Sequence, residues 1–146
     1  MKFIKVAVVA AIVVSGSAFA GSIPQYGHGG GHSSGPNSEL SIYQYGSTNA
    51  ALALQTNARD SSLSITQNGS GNGADVGQGS DDSVIELTQT GSRNSATIDQ
   101  WNSRDSDINV NQHGVLNGAL VNQTASNSWV EVRQVGFGNN ATANQY

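Results

Sequence analysis

Cysteine is absent, and 146 residues contain only two prolines and one methionine. Without cysteine, neither a disulfide nor a thiolate metal site can staple the fold. Charged residues make up 11% of the chain and aromatics 6%. Long apolar runs are missing too, except at the very start. Residues 1–20 read as a secretory signal peptide: Lys2 and Lys5 lead, Val6 to Val14 are apolar, and Ala18-Phe19-Ala20 offers a small-residue cleavage site before Gly21. That run is shorter than the ~20 residues a membrane-spanning helix needs. Cleavage removes both lysines and leaves Arg59, Arg93, Arg104 and Arg133 against all ten acidic residues, a net charge of −6. Phosphate contacts need clustered Lys or Arg, so no specific nucleic-acid site is expected.

What is present is repetition. After a Gly/Ser/His-rich stretch over residues 21–37, which contains Pro24 and Pro36 and has little to bury, the chain obeys Ser-x5-Gln-x4-Asn-x5-Gln five times. The stretch is expected to be disordered and to serve as a secretion-targeting segment. The anchors are Ser38, Gln44, Asn49 and Gln55 in residues 38–60, then Ser61, Gln67, Asn72 and Gln78 in 61–82. Ser83, Gln89, Asn94 and Gln100 follow in 83–105, then Ser106, Gln112, Asn117 and Gln123 in 106–127, and Ser128, Gln134, Asn139 and Gln145 in 128–146.

Within each unit, apolar residues alternate with period two, the signature of strands rather than helices. The first segment places pairs such as Leu63 and Ile65, or Ile85 and Leu87, on the face that carries Ser and Gln. The second places smaller pairs, such as Ala74 and Val76, on the face that carries Asn and Gln. Four residues separate the segments, always with glycine second (Gly46, Gly69, Gly91, Gly114, Gly136), where a positive φ is expected. The expected fold is all-β: a two-sheet β-solenoid, cross-β in spacing, of five strand-turn-strand repeats. A single repeat buries too little to offset its chain entropy, so units must stack, and the free monomer is expected to be disordered. Stacking also satisfies the inward amides, because each Gln or Asn meets its equivalent one layer away. Both end repeats keep all four anchors and the chain stops one residue after Gln145, so no capping repeat is expected and growth should be open-ended.

Those units, with Gly136-Phe137-Gly138-Asn139-Asn140-Ala141-Thr142 and the segment Gly73 to Asp82, resemble the curlins of enterobacterial curli over essentially the whole chain. The regular fifth repeat is closer to the main fibre-forming type than to the nucleating type. The resemblance implies a functional amyloid secreted through the periplasm to the cell surface, supporting biofilm matrix, adhesion and aggregation. Implied partners are the chain itself, a minor curlin nucleator, an outer-membrane secretion pore with accessory proteins, and host or abiotic surfaces. It also implies polymerisation and nucleation roles for Gln44, Asn49, Gln134 and Asn139, and gatekeeper roles for Asp75, Gly77, Asp81, Asp82, Asp99 and Asp105. Three turns depart from its usual second glycine, at Thr48, Arg93 and Leu116.

Other function classes fit poorly. An enzyme on such a scaffold needs a coil that breaks the pattern, and none does. His28 and His32 sit in a Gly-rich stretch that holds no ligand geometry, and His113 is expected in a turn, so no metal or other cofactor is expected. An ice-binding surface would want a regular outward column of threonines, which Thr66, Thr88, Thr97 and Thr142 do not form. Tyr43, Trp101, Trp129 and Phe137 are expected outside or in turns.

Overall fold

The computed structural model describes residues 38–146 together with the backbone of three short strands: β1 (Ile12–Val14), β2 (Phe19–Ala20) and β3 (Gln25–Tyr26). Apart from those strands, the expected signal peptide, the secretion segment and His28 and His32 lie outside the described residues. From residue 38 onward every repeat contributes two strands. They are β4 (Glu39–Ser47) and β5 (Ala50–Thr56), β6 (Ser62–Ser70) and β7 (Gly73–Asp81), β8 (Val84–Ser92) and β9 (Ser95–Arg104), β10 (Asp107–Val115) and β11 (Gly118–Gln123), and β12 (Trp129–Phe137) and β13 (Asn140–Gln145).

Among the repeats, first strands pair with first strands, in the order β4-β6-β8-β10-β12, and second strands with second strands, β5-β7-β9-β11-β13. All of these pairs are parallel and in the register that the anchors demand: Gln44 opposite Gln67, Gln67 opposite Gln89, Gln112 opposite Gln134. The chain is a five-layer, two-sheet β-solenoid. Leu40, Leu63, Ile85, Ile108 and Val130 form one inward column, faced by Ala53, Val76, Ile98 and Val121 from the other sheet, all of them buried. Large residues on one strand and small ones on the other keep the sheets at one separation through every layer.

The strands are longer than the sequence suggests. Tyr45, Gly46 and Ser47, expected in a turn, remain in parallel register with Asn68, Gly69 and Ser70, and the ladder breaks only at Thr48 and Asn49. Every layer bends alike, so backbone pairing between layers survives the bend. The glycine column makes this possible. Gly46, Gly69, Gly91, Gly114 and Gly136 all have φ between 112° and 131°. A Cβ on any of the first four would also fall on the carbonyl oxygen of the glycine one layer on.

Two positions later comes a second left-handed residue: Thr48, Gly71, Arg93, Leu116 and Gly138, with φ of 55°, 67°, 55°, 58° and 69°. The three turns that lack glycine there therefore keep the geometry of the two that have it. In two of them the amide bonds one layer back: Arg93 N–H to Ser70 O at 3.0 Å and Leu116 N–H to Ser92 O at 3.0 Å. Stacking over-determines the conformation and imposes it on residues that would avoid it.

The outer edge of the first layer is not bare in the full chain. β1 lies parallel to β4, with Val13 in register with Gln44, while β2 and β3 pair with β5, placing Gln25 against Gln55.

Candidate assembly interface

Eight inward amides of the first sheet and its turns, and four more of the second, are buried almost completely, and all twelve belong to the anchor pattern. At Gln67, Asn72, Gln78, Gln89, Asn94, Gln100, Gln112, Asn117 and Gln123, exposure does not exceed 1%. Burial on this scale is tolerable only if the amides bond one another. They do. In the first sheet, Gln44 Nε2 donates to Gln67 Oε1 at 2.6 Å, and Gln67, Gln89 and Gln112 each donate to the next layer at 2.8 Å. In the second sheet Gln55, Gln78, Gln100 and Gln123 do the same at 2.8–3.0 Å.

The asparagine column runs the other way. Asn72 Nδ2 donates back to Asn49 Oδ1 at 3.2 Å, Asn94 to Asn72 at 3.1 Å, and Asn117 and Asn139 each one layer back at 3.0 Å. Backbone carbonyls fix both directions. Most of these NH2 groups also donate to a main-chain oxygen, as Gln89 Nε2 does to Gly73 O at 2.9 Å and Asn94 Nδ2 to Gly114 O at 3.1 Å. Exchanging O and N in either amide would set oxygen against oxygen. The serines close the repeats: Ser61, Ser83 and Ser106 Oγ accept the amide of the serine one layer on, while Ser38 Oγ donates to Ala58 O at 2.7 Å.

The two ends of this stack differ. In the first layer Gln44 is 1% exposed, yet its Oε1 is without a hydrogen-bond partner. In register with it stands Val13 rather than a further glutamine. Asn49 and Gln55 are buried alongside. In the last layer Gln134 is 5% exposed and Gln145 and Asn139 are half-buried. Thus the four residues expected to govern growth lie in the two outermost layers, at the ends of the amide columns.

The six expected gatekeepers do not form one set. Asp75 is exposed on β7. Asp81 accepts the Arg59 amide at 3.1 Å and lies 3.7 Å from the Arg104 guanidinium, a surface contact of little energetic weight. Asp99 accepts the Trp101 indole N–H at 3.4 Å, and Gly77 is buried although its place in the alternation points outward. Asp82 and Asp105 are exposed turn residues at φ of 51° and 52°. Asp60, overlooked in the sequence, holds the same turn position with φ 49°, and Asn127 holds it in the fourth repeat with φ 53°. Three carboxylates therefore occupy equivalent places in successive layers. The clue was available: each of these residues directly precedes a serine anchor.

His113 is exposed on β10, and among the described residues no three His, Cys, Asp or Glu side chains come together as a metal site. No helix among them is long and apolar enough to cross a membrane.

Comparison with known proteins agrees with this architecture. The Curlin associated repeat matches residues 35–69 and 80–114. Those two stretches match the curlin repeat. It is similar to the major curlin subunit of Salmonella typhimurium, with 71% identity over 86 residues, which is 56% of this chain and 57% of that protein. Against the major curlin subunit of Escherichia coli K12, identity is 68% over 88 residues, 57% of this chain and 58% of the relative. The protein of Escherichia coli O157:H7 gives 68% over 91 residues, 58% and 60%. These curlin matches span a little under two thirds of each relative's length.

Proposed function

We propose that this curlin-repeat chain is the structural subunit of an extracellular curli-type amyloid fibre and that copies add head to tail. One observation carries the reading: the Gln44 Oε1 acceptor, buried and unpartnered at one end of a column whose other end is the Gln134 NH2 donor. Continuing the internal register sets β12 of one copy on β4 of the next. Gln134 then meets Gln44, Gly136 meets Gly46 and Val135 meets Tyr45, while β13 on β5 brings Gln145 to Gln55. The reversed asparagine column ends with the opposite sense, so Asn49 Nδ2 of the incoming copy faces Asn139 Oδ1. Two first layers placed face to face would oppose glutamine oxygens, and two last layers would oppose NH2 groups. Only head-to-tail contact satisfies both columns, and repeated without closure it gives a filament.

In the full chain β1, β2 and β3 occupy the edge this joint needs; removal of residues 1–20 bares β4, and β3 must leave β5 before Gln145 of another copy can reach Gln55. Similarity to major curlin subunits extends the reading to biofilm matrix, adhesion and aggregation. The same similarity extends it to a minor curlin nucleator, an outer-membrane pore with accessory proteins, and host or abiotic surfaces as partners. The secreted form, residues 21–146, starts monomeric and disordered, assembles after a lag, responds to seeds, and diffracts at about 4.7 Å along the fibre. A chain that stays monomeric at tens of micromolar in the presence of preformed seeds would overturn the reading.

A further inference from the structure

The amide columns have a weakness as a code: they are the same in every layer. Any repeat offers the anchors that any other repeat accepts, so the inside of the solenoid does not say which layer belongs on which. The outer surface does, at one place. Along β7 the alternation of inward and outward residues fails, because Val76, Gly77 and Gln78 are all buried. Gly77 is covered by the indole of Trp101, which comes from β9 one layer on and stands in register with Gly79. A Cβ on Gly77 would lie 2.7 Å from Trp101 Cζ2 and 3.0 Å from Asp99 Oδ1, and one on Gly79 would fall on the six-membered ring itself. The indole N–H is turned toward Asp99 Oδ1. Immediately beyond, the register between β7 and β9 shifts at Gly79 and Asp81, and Asn102 takes a left-handed φ of 55° to absorb one extra residue.

No other layer has this recess. At the two equivalent places the first layer carries Leu54 and Thr56, the fourth Asn122 and Thr124, and the fifth Asn144 and Tyr146. Each would put side-chain atoms where the ring lies. We infer that Trp101 is a key and the Gly77/Gly79 recess its lock, so that the third layer is selected for the second among five otherwise interchangeable layers. The contact sets the pairing at the point where the repeat length changes and an amide column alone permits a slip. On this assignment both glycines are small because an indole must fit over them.

The test uses the full secreted chain with Trp129→Phe, which leaves Trp101 as the sole tryptophan. Emission is read on the folded form, whether fibrous or soluble, so a chain that folds without polymerising still reports on the key. Gly79→Ala should shift Trp101 emission to the red, raise its quenching by acrylamide and slow formation of β-structure. Gly77→Ala should do the same more weakly. Adding Trp101→Ala to Gly79→Ala should remove most of the kinetic defect, because the clash partner is gone. Unchanged emission in Gly79→Ala would overturn the inference. So would two substitutions whose effects simply add, or a Gly79→Ala chain that assembles faster than its parent.

Discussion

The inside and the outside of this solenoid follow different rules. Inward, the five layers are nearly copies: Leu63 lies under Ile85 and over Leu40, Gln67 between Gln44 and Gln89, with the same bonds at nearly the same lengths. Outward, the columns along the second strands differ from layer to layer. The one that begins at Thr56 continues as Gly79, Trp101, Thr124 and Tyr146. Uniformity inside lets any layer accept any other, including one from a second molecule, which is what a polymer needs. Variety outside is then the only means of telling layers apart. Substitutions should therefore divide by the side of the sheet on which they fall.

The largest effect is expected in the glycine column. Gly91→Ala sets a methyl group on the carbonyl oxygen of Gly114 and forces a residue with a side chain to φ +117°. Neither can relax without separating the layers, so a loss above about 4 kcal/mol and a failure to form ordered fibres are expected. Gly136→Ala, in the last layer, has the same φ problem but meets nothing closer than Asn139 Nδ2 at 3.5 Å. It should be the milder of the two inside one molecule, and become equally severe once a second copy stacks on it. Diffraction and seeded growth of the two variants separate these cases.

Next come the amides. Gln89→Ala leaves one N–H of Gln67 below and the Gln112 oxygen above unpaired, at about 1–3 kcal/mol for each group. Denaturant resistance of finished fibres should show that loss. Replacing Gln44 and Asn49, or Gln134 and Asn139, should cost less in fibre stability per molecule but more in the rate of seeded growth, because those pairs are met first at a growing end. Equal slowing by matched changes at Gln89 and Asn94 would break the distinction between ends and middle.

A smaller effect belongs to the outer carboxylates. Asp60, Asp82 and Asp105 recur at the same turn position in adjacent layers, and Asp82 is the middle one. Like charges one strand spacing apart oppose stacking, and salt screens them. Asp82→Asn, which copies the residue at position 127, should shorten the assembly lag severalfold at low ionic strength and much less in high salt. A lag that is unaltered at both salt levels would show that this column does not restrain assembly.

These contrasts also explain what could be read without coordinates. Residues such as Leu63, Ile65 and Gln67 announce layer, face and register because period two and a repeat of 22 or 23 residues both constrain them. Tyr45 to Ser47 were harder. Glycine signals a turn in a single chain, whereas here the bend is itself part of a ladder between layers. The Trp101 recess depends on a pair 22 residues apart on a face where no pattern recurs, so neither alternation nor the anchors point to it. Only reading outward positions across the repeats, Gly79 against Trp101, would have raised the question. Asp60 was missed for the same reason: alone it is one more polar turn residue, and its meaning comes from Asp82 and Asp105 in the same column.

The smallest expected effect lies where stacking holds a residue in a conformation that it would otherwise avoid. Leu116 is a bulky side chain at φ +58°, 43% exposed, so it sits in a left-handed conformation without burial in return. Gly71 and Gly138 occupy the same turn position in the second and fifth repeats. An L-residue there costs about 1–2 kcal/mol, part of which glycine gives back through the greater freedom of its unfolded chain. Leu116→Gly should therefore stabilise the fourth layer by about 1 kcal/mol at most, seen as a modest rise in the denaturant midpoint of the assembled form. Arg93→Gly should do the same in the third layer. Were Leu116→Gly destabilising, the exposed leucine would have to make a contact that a single molecule lacks, and the outer surface near that turn would be a joint between filaments.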